Sequence, residues 1–150
     1  MSALEISTHI EIDATAERVW AVLTDFESYA DWNSFIPEIT GSPTVGSQLT
    51  VKIQPPDGSA MTFKPIVLAA EPAKELRWLG RVMLPGLFDG EHRFLITPLD
   101  DGTCRLEHAE SFGGILLPFL RGTINRNTRR GFEAMNTALA ERCVSNPTLG

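Results

Sequence analysis

The sequence predicts an α+β protein: one curved antiparallel sheet of six to seven strands wrapped around a long C-terminal helix, with two short helices after strand 1. Hydrophobic periodicity carries this reading. It is two residues over 3–12, helical over 15–32, two again from 47 to 113, and helical from about 115 to 143. The turns within the long β stretch are short, and strands joined that way must run antiparallel. With 150 residues, 43% hydrophobic and 21% charged, the chain reads as one domain over 1–150, with a flexible tail from about 144.

Residues 3–12 alternate apolar and polar, which places His9 on the outward face. Val19, Val22, Leu23 and Phe26 then form a helical stripe, with Thr15 as its N-cap. A second short helix covers about 27–32. Asn33, Pro37, Gly41, Pro43 and Gly46 make 33–46 a loop, with Asn33 either bracing it or touching ligand. Leu49, Val51 and Ile53 mark a strand, and Pro55-Pro56-Asp57-Gly58 is a turn. Strands are expected at about 60–71, 76–82, 87–98 and 103–113. On the final helix Leu116, Leu120, Ile124, Asn127, Gly131, Met135, Ala138 and Leu139 share one face, and Pro118 fits only its first turn.

Composition excludes several classes. The net charge is −6, with 13 Lys and Arg against 19 Asp and Glu, which opposes general binding to nucleic acid. No apolar run reaches the ~20 residues of a membrane span, and the N-terminus lacks a basic flank for a secretory signal. Cys104 and Cys143 have no metal-ligand spacing, and two thiols in a chain without a leader fit a reducing, cytoplasmic setting. No metal and no cofactor is expected, and the chain is read as a monomer or homodimer.

Four strings carry a resemblance that spans nearly the whole chain. They are Ala14-Thr15-Ala16-Glu17-Arg18-Val19-Trp20-Ala21-Val22-Leu23-Thr24-Asp25, Tyr29-Ala30-Asp31-Trp32-Asn33-Ser34-Phe35-Ile36, Pro85-Gly86-Leu87-Phe88-Asp89-Gly90-Glu91-His92-Arg93-Phe94, and Gly131-Phe132-Glu133-Ala134-Met135-Asn136. With the element order, they resemble the START/Bet v 1-like (SRPBCC) superfamily and its helix-grip fold, in the bacterial polyketide cyclase/dehydrase-like branch. The resemblance implies an internal apolar cavity holding a lipid-like or polycyclic ligand. Some members are cyclases or aromatases and others only carry or sense ligands, so no catalytic motif transfers.

Strand parity points to a polar spot on the inward face. Glu91 and Arg93 share one side of strand 87–98, so Phe88, Gly90, His92, Phe94 and Ile96 face inward; in 103–113, Leu106, His108, Glu110 and Phe112 do so. Leu76, Trp78, Gly80 and Val82 lie beside them. A three-residue loop with Gly102 left-handed pairs Leu99 with Thr103, which sets His92 opposite Glu110 and Phe94 opposite His108. A two-residue Asp101-Gly102 turn would break the shared parity. The couple either satisfies itself in the core, forms the polar end of a ligand pocket, or moves a proton with His92 as acid–base and Glu110 holding its tautomer.

The aromatics Trp32, Phe35, Phe63, Trp78, Phe88, Phe94, Phe112 and Phe119 either pack a core or line a cavity, together with Leu116, Leu120, Ile124 and Asn127. Met83 to Gly86 and Gly113-Gly114 are either gates or ordinary strand ends. Arg121, Arg126, Arg129 and Arg130 are either a solvated face or an anion contact. Three functions follow. The first is binding a small hydrophobic ligand in a cavity of about 300–1,000 Å³. The second is a cyclase or dehydratase on a polyketide-like carbonyl substrate, with His92, Glu110 and His108 as candidate catalytic residues. The third is a protein-interaction module like the Hsp90-activator-like relatives of the fold.

Overall fold

The computed structural model describes residues 4–81, 86 and 88–145, without the side chains of 119–121, 123–125 and 145. The chain opens with strand β1 (Leu4–Ile12), which buries Leu4, Ile6, Thr8 and Ile12 and turns His9 outward. Helix α1 (Ala16–Thr24) follows; the Thr15 hydroxyl accepts from the Arg18 N–H at 3.1 Å, and Val19, Val22 and Leu23 face the core. A 3-10 turn at Phe26–Ser28 leads into the short α2 (Tyr29–Trp32). The buried Tyr29 hydroxyl donates to the Leu23 carbonyl, and burial raises its proton affinity first, with Asp25 adding to the effect.

Among the described residues, eight strands form two antiparallel sheets. After β1 come β2 (Glu38–Thr40), β3 (Thr50–Ile53), β4 (Met61–Phe63), β5 (Ile66–Glu71), β6 (Glu75–Arg81), β7 (Asp89–Pro98) and β8 (Cys104–Gly113). Five form a sheet in the order β1-β8-β7-β6-β5, and three form the sheet β2-β3-β4. The loop expected over 33–46 contains β2. The single strand expected over 60–71 is two strands in different sheets, because Pro65 has no N–H to continue a ladder. Its carbonyl instead accepts from Leu49 at 2.8 Å, and Val67 donates to Ser47 at 2.9 Å, so segment 46–49 joins the two sheets.

Helix α3 (Leu117–Ser145) packs against β1, β8 and α1. Its buried side chains are Leu117, Phe132, Met135, Asn136, Leu139 and Cys143. The stripe read from sequence holds at Gly131, Met135 and Leu139 and differs elsewhere: Leu117 rather than Leu116 is buried, and Ala138 is only half-buried. Val144 and Ser145, placed in the tail by sequence, belong to α3, and 146–150 lie outside the described residues. Among the described residues no helix is long and apolar enough to cross a membrane.

One glycine explains how closely α3 approaches the α2–β2 segment. A Cβ on Gly131 would lie 2.3 Å from Cε1 of Phe35, whose ring is buried against Phe132. Alanine in a helix usually gains up to about 1 kcal/mol over glycine. Here the clash outweighs that gain. Gly131→Ala should lower the urea-unfolding free energy by about 1–3 kcal/mol, the usual cost of overpacking; an unchanged or higher midpoint would refute the close packing.

Candidate ligand pocket and buried proton relay

The β7–β8 hairpin sets the site. The Leu99 N–H donates to the Thr103 carbonyl at 2.9 Å, and Gly102 has φ +83, as a three-residue loop closing in the left-handed region requires. That register places His92 opposite Glu110 and Phe94 opposite His108. The even-numbered residues of both strands therefore share one face, the register the sequence favours.

A cavity of about 190 Å³ lies between the two sheets and α3. Trp78 and Gly80 of β6, Gly90 and His92 of β7, and Glu110 and Phe112 of β8 form one side. Val51 and Ile53 of β3, Met61 and Phe63 of β4, and the prolines 55 and 65 form the opposite side. Phe35, Phe88, Asn127 and Thr128 complete the lining, with Phe88 stacked on Phe112 at 5.8 Å between centroids. The volume falls below the expected range because aromatic rings fill the space under the helix: Phe35 meets Phe132 edge-on at 5.6 Å, and Phe132 stacks on His108 at 4.0 Å.

Of the residues singled out by sequence, Phe35, Phe63, Trp78, Phe88, His92, Glu110, Phe112 and Asn127 line this cavity. Phe94 and His108 lie behind it, fully buried. Trp32 packs on Tyr29 away from the cavity, at 5.1 Å, and Leu116 sits in the turn before α3. The side chains of Phe119, Leu120 and Ile124 and residues 82–85 lie outside the described set. Asn33 braces its loop: its Oδ1 accepts from the N–H groups of Phe35 at 3.1 Å and Ile36 at 2.8 Å. Gly113 ends β8, and Gly114 turns the chain with φ +112.

Two of the basic residues of α3 have partners on the protein. Arg129 donates to the Ser7 carbonyl at 3.2 Å, and Arg130 to Asp57 at 2.9 Å. The second contact ties α3 to the 55–58 turn, whose Pro55 lines the cavity. Among the described residues no group of three or more His, Cys, Asp or Glu side chains could hold a metal. Both cysteines are buried and unbridged. Burial pushes the Cys143 thiol up to about 11 against the opposing charge of Arg18, and also raises Cys104, so neither is an activated nucleophile.

Behind the polar wall, from the half-buried Glu110, runs a chain of buried side chains. Glu110 Oε1 lies 3.2 Å from His92 Nδ1, and His92 Nε2 lies 2.7 Å from His108 Nε2. His108 Nδ1 lies 2.9 Å from Asn136 Oδ1; Asn136 Nδ2 donates to Thr8 Oγ1 at 2.9 Å, and Thr8 Oγ1 donates to the His108 carbonyl at 2.8 Å. His92 also stacks on Trp78 at 5.1 Å. Sequence reading reached the first three members and missed Thr8, Asn136 and Phe132. Thr8 shares inward parity with Ile6 and Ile12, and Asn136 lies one turn beyond Phe132, so a polar residue on each apolar face was the available signal.

Burial holds the His108 imidazole well below its ordinary proton affinity; the nearby charge of His92 acts the same way, and hydrogen bonds to Asn136 and the Phe132 carbonyl act against it. The ring is neutral in the fold and protonates on unfolding below pH ~6.5. The unfolded state then binds more protons, so acid weakens the fold. Between pH 6.5 and 5.5 this one group should remove about 1 kcal/mol of stability. Urea midpoints at the two pH values measure it, and the loss should shrink in His108→Gln; equal losses in both proteins would mean another group is responsible.

Comparison with known proteins agrees with this architecture. A family model described as polyketide cyclase / dehydrase and lipid transport matches residues 3–144. The Zhui aromatase/cyclase from Streptomyces superposes with a TM-score of 0.79 at 16% identity, covering 97% of this chain and 96% of that one. A START superfamily protein from Mycobacterium smegmatis gives 0.73 at 22%, covering 94% and 97%. Norcoclaurine synthase from Thalictrum flavum, in complex with dopamine and hydroxybenzaldehyde, gives 0.70 at 15%, covering 96% and 88%. No curated protein matches the chain in sequence. The structural likenesses establish the fold, and the match over residues 3–144 establishes the family: the chain belongs to the polyketide cyclase / dehydrase and lipid transport family.

Proposed function

We propose that this protein binds a small hydrophobic, lipid-like or polycyclic molecule in the cavity between its sheets and α3, with the polar end of that molecule at Glu110 and His92. The observation that carries the reading is the asymmetry of the cavity. Most of its lining is carbon from Trp, Phe, Pro, Val, Ile and Met side chains, and among the described residues its ionisable groups are His92 and Glu110, on one wall. An apolar pocket with a few placed polar groups binds by burial and orients by hydrogen bonding. The membership of lipid-transport proteins in the family agrees with this. The reducing setting expected for two unpaired cysteines favours the cytoplasm as the place of action.

A second reading is favoured by the relay behind the wall. A His–Glu couple backed by further buried donors suits proton transfer at a substrate carbonyl, as an aldol cyclisation or dehydration requires. His92→Ala separates the readings. A cyclase loses turnover with ligand affinity nearly intact, whereas a carrier loses affinity alone.

The cavity itself has a direct test. A Cβ on Gly80 would meet only Pro65 at 3.8 Å and the Gly90 carbonyl at 4.0 Å, ordinary contacts, and Gly80 lines the cavity. Gly80→Leu should fill the space without unfolding the sheet. Native mass spectrometry of protein from its own host should show a bound small molecule on the wild type and none on Gly80→Leu. The same adduct on both, or none on either, removes the cavity as the binding site.

A further inference from the structure

We propose that the pocket selects a neutral ligand whose buried end is a hydrogen-bond donor, a phenolic or enolic hydroxyl, because the chain from Thr8 to His92 leaves Glu110 Oε2 as an acceptor facing the cavity. The inference rests on the ligand-binding reading above and deepens it. It begins at Thr8. Its hydroxyl has one proton, committed to the His108 carbonyl at 2.8 Å, so Thr8 Oγ1 is an acceptor for its other neighbour. That neighbour must be the Asn136 amide nitrogen, 2.9 Å away, which turns Asn136 Oδ1 toward His108. The reverse orientation would set two acceptors against one another.

The remaining protons follow in order. Asn136 Oδ1 has no hydrogen, so His108 Nδ1 carries one. A neutral His108 then has a bare Nε2, and the 2.7 Å contact requires His92 Nε2 to be protonated. His92 therefore meets Glu110 through Nδ1, and one proton lies in the 3.2 Å contact between Nδ1 and Oε1. Whether it rides on oxygen or nitrogen, the couple is neutral overall and Oε2 carries no hydrogen. Oε2 sits over Gly90, only 2.3 Å from where a Cβ would be, so glycine is what admits the carboxyl at this place.

This proton inventory decides what fits. A hydroxyl donates to Oε2. An ether, ketone or carboxylate presents lone pairs to lone pairs and leaves a buried acceptor unsatisfied, which is costly. An ammonium group would introduce a charge that an already neutral couple does not balance, in an apolar cavity.

The test has a spectroscopic arm and a binding arm. Nitrogen-15 imidazole spectra of the wild type should show His108 protonated at Nδ1 with a bare Nε2, and His92 protonated at Nε2. Calorimetric titration with 2-naphthol, 2-methoxynaphthalene and 2-naphthoate should show the hydroxyl compound binding about tenfold or more tightly than either other probe. A wild-type His108 with a bare Nδ1 overturns the proton inventory. Equal or tighter binding of the methyl ether or the carboxylate overturns the selectivity. Silence from all three probes, with the tautomers as expected, strikes the ligand-binding reading and the selectivity built on it, and leaves the hydrogen-bond polarity standing.

Discussion

The single hydroxyl proton of Thr8, held by the His108 carbonyl, is the constraint on which the interior depends. Two imidazoles, an amide and a carboxyl in a protein core are stable only if every donor meets an acceptor. Here the sequence of donors starts at a backbone carbonyl, whose role cannot change, and runs through β1, α3, β8 and β7 to the cavity wall. The network thereby links the first strand, the last helix and the central hairpin. The aromatic rings of Phe94, at 4.4 Å, and Phe132, at 4.0 Å, enclose His108 and keep water from substituting for any member.

The cavity is the space left once that network and its aromatic shell are packed. Phe35 reaches Phe132 under the helix and closes the inner part, which is possible only because Gly131 has no side chain. What stays open is bounded by Trp78, Phe88 and Phe112 on one side and by the short strands β3 and β4 on the other. Its polar corner is thus at the edge of a rigid assembly, where the carboxyl is already oriented by its neighbours. Preorganisation of that kind lowers the ordering cost of binding.

Much of this was legible in the sequence, for identifiable reasons. The β7–β8 pairing followed from loop length, the glycine at 102 and the common parity of His92, His108 and Glu110, all local properties. The break at Pro65 was not read, although proline chemistry announces it, because the apolar pattern continues across it. The helix stripe was legible at Gly131, Met135 and Leu139 but not at Asn136, which is buried for its partners rather than for its hydrophobicity. Thr8 and Asn136 are 128 residues apart, and no periodicity of either element foretells their contact.

The division of the β structure at Pro65 has an evolutionary consequence. The carboxyl–imidazole corner belongs to the five-stranded sheet, whereas Val51, Ile53, Met61 and Phe63 belong to the three-stranded one. The polar corner therefore lies on one piece of backbone, while the space beside it is shared between that piece and a second one. Descendants of this chain are free to enlarge or shrink the cavity by exchanging side chains on two short strands, without disturbing the hydrogen-bond order at its polar corner.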